Sequence, residues 1–267
     1  MGAKLTSRRV FVRDLGLGVV ALTVGGTLWA ACGGDEPSPS GSTSVPGATP
    51  PPGPDVSPPA TPVRGEPTVR QVLLDFVSAY VVVRGTEAVV VDTGVGGSAP
   101  AIERGLAEVG VGWSDVGYVL LTHRHPDHVG SLGDVAARAS DAVLYAGAAD
   151  VEAIDTPRPL EPVGDGDTVL GMQVVDTPGH TPGHVSVFDP EGAVLIAGDS
   201  LNGEGSGVET IVDGVGGPNP RFTADMATAA ASARKLAALA PDTIYFGHGR
   251  PKVGGAAAAL DALVARL

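Results

Sequence analysis

Residues 120–130 read LLTHRHPDHVG, and no other stretch of the chain restricts the fold as tightly. His123, His125, Asp127 and His128 fall within six positions, which uses half of the chain's six histidines. The apolar run before them reads as a buried strand, and Pro126 keeps any helix from starting much earlier. The histidines therefore sit in the loop beyond a strand's C-terminal end. The same pattern recurs: His180 ends VVDTPGH, Asp199 ends VLIAGD and His248 ends TIYFGH, each after an apolar, β-branched run. Loops beyond strand ends are where α/β folds place their chemistry.

A lone histidine at a strand end is usually a capping or hydrogen-bonding residue. Here all six fall at such positions, His184 lying four residues after His180, and none falls in the C-terminal helical stretches or the proline-rich region. Neutral imidazole and carboxylate bind zinc and similar ions at about 2.0–2.2 Å. Two adjacent centres need roughly six or seven such ligands, usually with a bridging carboxylate. The chain offers His123, His125, Asp127, His128, His180, Asp199 and His248.

Charge narrows the partners. The formal net charge is −13, and residues 1–34 carry Lys4, Arg8, Arg9 and Arg13 against Asp14, so the remainder sums to −16. A body this acidic repels phosphate backbones, which argues against nucleic acid as a partner; the partner expected is a small-molecule substrate. The single cysteine, Cys32, rules out an intramolecular disulfide.

Residues 1–32 read as an export signal: a charged start, an apolar stretch from Leu15 to Ala31, then small residues before Cys32. SRRVFV resembles the twin-arginine signal, and LWAAC resembles a bacterial lipobox that would be cleaved and lipidated at Cys32. The expected location is outside the cell, at the outer face of the membrane as a lipoprotein, otherwise secreted or periplasmic. Membrane contact is expected only through that anchor. Residues 33–67, rich in proline, serine, glycine and threonine, read as a disordered tether, and residues 68–267 as the catalytic domain.

Within that domain, YVVVRG and EAVVVDTG read as a hairpin turning at Gly85. SAPAIERGLAEVG places Ile102, Leu106 and Val109 at helical spacing, with Ser98 and Pro100 as start signals. VGYVLLTH, DAVLYAG, TVLGMQVVD, HVSVFDPEGAVLIAGD and TIYFG read as further strands. TADMATAAASARKLAALAPD and GGAAAALDALVARL read as helices. Strands alternating with helices argue for an α/β layered fold. The long glycine-rich segment 201–225 is the expected substrate-facing loop, with Phe222 read as packing and Arg221 as a solvated charge.

THRHPDH carries the H-x-H-x-D-H signature, and together with DTPGHTPGH, AGD, FGHG and the upstream VVVDTG it resembles the metallo-β-lactamase superfamily, from about Tyr80 to Gly249. The resemblance implies a four-layer αββα sandwich. It implies two divalent ions, zinc first with manganese or iron as alternatives. The first would be held by His123, His125 and His180, the second by Asp127, His128 and His248, with Asp199 bridging. His184 would support the site by hydrogen bonding. Asp92 would orient a ligand imidazole, or alternatively cap the turn before Gly94. Asp127 would also act in catalysis, steering a metal-bridging hydroxide and accepting a proton. The implied function is hydrolysis of a carboxylic ester, thioester or lactone. Asp199 stands where the most familiar zinc β-lactamases have cysteine, which disfavours penicillin hydrolysis. The nineteen residues after His248 disfavour a dedicated glutathione site, and Asn202 stands where some lactone-opening members have tyrosine. The alternatives are a mononuclear iron dioxygenase of sulfur compounds, an exported phosphodiesterase, and a metal-binding protein without catalysis.

Overall fold

The computed structural model describes residues 67–267. The expected signal over 1–32, with Cys32, and residues 33–66 of the expected tether lie outside the described residues.

The first half of the domain is one six-stranded sheet. Strands β1 (Thr68–Leu74), β2 (Val77–Arg84) and β3 (Glu87–Val91) pair antiparallel. Arg84 opposes Glu87, so the β2–β3 turn holds two residues, and Gly85 supplies its left-handed φ of 66°. After helix α1 (Ala99–Glu108) comes β4 (Val116–Leu121), then helices α2 (Pro126–Val129) and α3 (Leu132–Arg138), β5 (Val143–Gly147) and β6 (Glu161–Val163). From β3 to β6 the neighbours run parallel, completing the order β1-β2-β3-β4-β5-β6.

The second half adds β7 (Thr168–Val169), β8 (Met172–Asp176), β9 (Val185–Asp189) and β10 (Val194–Ile196). Three two-residue strands follow, β11 (Asn202–Gly203), β12 (Ile211–Val212) and β13 (Val215–Gly216), paired as β11-β13-β12. Then come α4 (Met226–Ala237), β14 (Thr243–Tyr245), β15 (Lys252–Val253) and α5 (Ala256–Val264). The second six-stranded sheet has the order β15-β14-β10-β9-β8-β7, with β10 and β14 parallel.

Side-chain parity shows how the layers stack. Successive strand residues face opposite sides. On β2 and β3, Ala79, Val81, Ala88 and Val90 join a core with Ile102 and Leu106 of α1 and Val135 of α3. Their neighbours Tyr80, Val82, Val89 and Val91 face the second sheet and meet Val174, Val185, Val187 and Ile196. On the second sheet's far face, Val175, Phe188 and Leu195 pack with Ala233 and Leu236 of α4 and Leu260 and Leu263 of α5. Three cores separate four layers, the expected αββα sandwich. Among the described residues, no helix is long and apolar enough to cross a membrane.

Local signals explain most element ends. Asp225 caps α4, its Oδ1 accepting from the Thr228 amide at 3.0 Å. At α1 the expected Ser98 start signal works differently, because its hydroxyl donates back to the Val95 carbonyl at 2.7 Å instead of accepting from the helix. Strand β1 lies where the sequence reading placed only the start of folded structure.

Candidate metal centre

Four strand ends converge on one point. Beyond β4 the backbone leaves the sheet at Thr122, and His123 turns into the buried interior. His125 is the extended residue before α2, with Pro126 opening that helix, so Asp127 and His128 occupy its first turn. His180 lies four residues after β8, Asp199 in the turn after β10, and His248 three residues after β14. Gly247 makes room for them. A Cβ there would lie 2.1 Å from Asp199 Oδ1 and 2.8 Å from His128 Cε1.

The seven side chains form three overlapping groups: His123–His125–His180, His123–His128–Asp199 and Asp127–His128–His248. His125 Nδ1 lies 3.0 Å from His123 Nε2 and 2.9 Å from His180 Nε2. Asp199 stands between the groups. Its Oδ2 is 3.5 Å from His180 Nε2 and 3.3 Å from His248 Nε2, and its Oδ1 is 3.4 Å from His128 Nε2. Asp127 Oδ2 lies 3.3 Å from His248 Nε2 and 3.9 Å from His128 Nε2.

Surrounding hydrogen bonds decide which ring nitrogen faces the centre. Asp92, buried and in a left-handed conformation with φ 60°, accepts from the Thr122 amide and hydroxyl at 2.8 Å each. Its Oδ2 also takes the His128 Nδ1 proton at 2.8 Å. Asp92 thus contacts an imidazole and the Thr122 backbone beyond β4, and these bonds do not run to the turn before Gly94 that the alternative reading had it cap. With the Thr122 hydroxyl hydrogen spent on Asp92, His123 Nδ1 donates to that oxygen at 3.1 Å. His248 Nδ1 donates to the Phe76 carbonyl at 2.8 Å. Each pairing puts a proton on Nδ1 and turns Nε2 toward the cluster. His184 differs. Its Nε2 accepts from the Asp199 amide at 3.0 Å, so it holds the backbone of Asp199 and presents no lone pair to the cluster.

Charge is divided unevenly among these groups. Burial, then the neighbouring imidazoles, hold His123 well below the ordinary imidazole value. Burial holds His180 down at about 4 despite Asp199. Burial also opposes charge on His248, yet its bonds to Asp127 and Asp199 push it up to about 11. His128 is raised too, burial being outweighed by Asp199 and Asp92. Burial disfavours ionised Asp199, but His128 and His248 hold its carboxyl below the usual range.

A divalent cation fits this arrangement. His128 Nε2 and Asp199 Oδ1 are buried with no hydrogen-bond partner among the described residues. Three imidazole nitrogens also crowd within about 3 Å along the edges that meet at His125. An N/O set of this kind suits zinc, iron or manganese.

Residues 72–248 match the family model described as Metallo-beta-lactamase superfamily. The chain belongs to the metallo-beta-lactamase superfamily. It is 37% identical over 138 residues to hydroxyacylglutathione hydrolase of Synechococcus sp., covering 48% of this chain and 52% of that protein. It thus spans about half the length of that relative. The metallo-beta-lactamase family protein TTHA1429 of Thermus thermophilus superposes with a TM-score of 0.57 at 26% identity, over 75% of this chain and 78% of that one. TTHA1623, solved in a di-iron-bound form, gives a TM-score of 0.53 at 28% identity, over 71% and 94%. Hydrolase relatives and the His/Asp cluster together mark this superfamily member as an enzyme of the metal-dependent hydrolase type.

The cluster of this superfamily member opens into a cleft of about 870 Å³ whose lining includes His125, Asp127, Asp199 and His248. Segment 201–225 does face it, contributing Asn202, Glu204, Asn219 and Phe222. Phe222 departs from the packing expected of it: it is 65% exposed and stands in the cleft, because the turn from Asn219 holds it off the core. Arg221 is exposed, as expected of a solvated charge.

Two residues escaped the sequence reading. Phe76 grips His248 through a backbone carbonyl, which leaves no sequence signal. Asp150, fully buried, joins two histidine loops. It accepts from the Arg124 amide at 3.1 Å, the Thr181 hydroxyl at 2.6 Å and the Gly183 amide at 3.0 Å.

Proposed function

We propose that this chain is a binuclear metal-dependent hydrolase of carboxylic ester, thioester or lactone bonds. The observation that carries this reading is the facing pair of buried, unpartnered polar atoms, His128 Nε2 and Asp199 Oδ1, within a ring of seven ligand-type side chains at the base of a cleft. His123, His125 and His180 would hold one ion, Asp127, His128 and His248 the other, and Asp199 would be shared. When bound, two such ions supply a water-derived nucleophile at neutral pH and polarise the oxygen that becomes negative.

The chain's own groups do the positioning. Asp92, Thr122 and the Phe76 carbonyl hold three imidazoles by Nδ1, so their Nε2 atoms are fixed in direction before any ligand arrives. Asp127 lines the cleft. Burial opposes its charge, but its bond to His248 keeps it below the ordinary carboxylate value. Its ionised carboxylate can therefore orient a water by accepting a hydrogen bond from it. The hydroxyacylglutathione hydrolase similarity supports an acyl substrate, thioester included. We further propose export through the segment 1–32, with lipidation at Cys32 and the domain carried on the 33–67 tether. Loss of the protein from the membrane fraction in Cys32→Ala would test the anchor.

The full chain, reconstituted with zinc or manganese, is to be assayed for acid release from esters, thioesters, lactones and phosphodiesters, with His125→Ala as control. Chelator-sensitive turnover of an acyl bond, absent from the variant, is the expected result. Turnover confined to phosphodiesters would overturn the acyl reading. So would a single tightly held iron with oxygen uptake on persulfides.

A further inference from the structure

Seven large apolar side chains are exposed among the described residues, and three of them, Leu73, Phe76 and Phe222, line the cleft beside the histidines. Single exposed apolar residues are ordinary, whereas three converging on one concavity mark a binding surface.

Each of the three is put there by the fold. On β1, Val72 and Leu74 are buried in the core under α1, so Leu73 takes the opposite face and stands in the cleft at 68% exposure. Phe76 follows Asp75, a left-handed residue with φ 68°, in the β1–β2 turn. Its carbonyl accepts from His248 Nδ1 at 2.8 Å, and its ring stacks on that imidazole with centroids 5.9 Å apart. Phe222 precedes Thr223, whose hydroxyl lies 3.2 Å from His180 Nδ1. Both aromatic side chains are thus tied through local backbone to histidines of the cluster. That fixes an apolar wall at the reacting end of the cleft.

Charge in the lining points the same way. Outside the seven ligand-type residues, the charged lining groups are Asp75, Glu204 and Arg250, and Glu204 already faces Arg250 at 3.8 Å. Neutral Gln71, Asn202, Ser206 and Asn219 complete the polar part. Away from the ligand-type residues, a carboxylate or phosphate on the far part of a substrate would meet a net charge of −1, Asp75 and Glu204 against Arg250, and an apolar wall.

We propose that the site takes uncharged esters, thioesters or lactones whose acyl part is apolar and seats against Leu73, Phe76 and Phe222. This rests on the acyl-hydrolase reading above. Hydrolysis puts the oxygen of water on the acyl carbon and breaks its C–O or C–S bond. One proton goes to the leaving alcohol or thiol and one is released from the new acid.

The test is a kcat/KM series on the zinc-loaded full chain with 4-nitrophenyl acetate, butyrate, hexanoate and hemisuccinate. The expected rise is about two- to fourfold per added methylene, with hemisuccinate at least about tenfold below butyrate. Phe222→Ala should flatten the slope, and Val253→Ala, exposed outside the cleft lining, should keep it. Binding of hexanamide to the metal-free chain, followed by calorimetry, should weaken at least about threefold in Phe222→Ala. Ester turnover with no chain-length slope, or with hemisuccinate equal to butyrate, would overturn this inference and leave the acyl reading standing. Turnover of bis(4-nitrophenyl) phosphate alone, or of no substrate at all, would remove the acyl reading and this inference with it.

Discussion

Removing the Asp150 carboxylate should separate the two loops that carry His123, His125 and His180. Arg124 lies between His123 and His125, while Thr181 follows His180 directly and Gly183 precedes His184. One buried carboxylate takes hydrogen bonds from all three, and Arg124 Nη1 also lies 3.4 Å from its Oδ1. Gly183 belongs to the same contact, since a Cβ there would lie 2.3 Å from the Asp150 amide. In Asp150→Ala the Arg124 and Gly183 amides lose their acceptor, at about 1–3 kcal/mol each for a stranded buried donor. The Thr181 hydroxyl can turn elsewhere, and the Arg124 guanidinium, 35% exposed, can be solvated, so neither adds much. The sum is about 2–6 kcal/mol, or a fall in Tm of roughly 5–20 °C for a domain of this size. Asp150→Asn keeps one acceptor oxygen but turns an NH2 toward a second donor, so it should fall between the parent and alanine. Because 2.9 Å between His125 Nδ1 and His180 Nε2 depends on this link, metal affinity should also drop about 10–100-fold. Urea denaturation of the metal-free chain and chelator competition for zinc measure the two effects separately. A loss under about 1 kcal/mol in Asp150→Ala, with unchanged zinc affinity, would refute the reasoning.

Arg84 and Asp189, paired and buried between β2 and β9, should behave asymmetrically. Arg84→Ala should cost about 3–5 kcal/mol by denaturant titration, whereas Arg84→Met with Asp189→Leu should come within about 1–2 kcal/mol of the parent. Gly247→Ala should abolish chelator-sensitive turnover while leaving the far-UV spectrum unchanged, because its Cβ would strike Asp199 Oδ1. In the metal-free chain His248 is pushed up to about 11 by its bonds to Asp127 and Asp199. It therefore carries a second ring proton at neutral pH, and zinc binding should release it, seen as a buffer-dependent calorimetric enthalpy. Raised values add stability that is complete below the unfolded imidazole value, near 6.5, and fades as pH climbs toward about 11, so metal-free stability should fall across that window.

The cluster was legible because its chemistry demands rare residue types at strand ends. Six histidines in 267 residues leave few ways to arrange five of them by chance, and the β-branched runs before them locate the strands. Which sheet each strand joins was not legible from periodicity. Strands such as β2, β3 and β9 are buried on both faces, so they read as unbroken apolar runs with no inside or outside. The layering came only with the family resemblance. The two-residue strands β11–β13 had no period to detect, and their pairing depends on contacts that no local pattern encodes. What escaped altogether were groups whose roles are set by position and not by type. The Phe76 carbonyl is chemically the same as any other, and Asp150 is one of thirty acidic residues in a strongly acidic chain. Phe222 was misjudged for a related reason: an aromatic ring between Arg221 and Thr223 looks like a packing residue until Thr223 is found against His180. The residues that would bind metal thus announce themselves by composition. Those that hold the ligands and meet the substrate are identified only by the three-dimensional contacts that make the cleft.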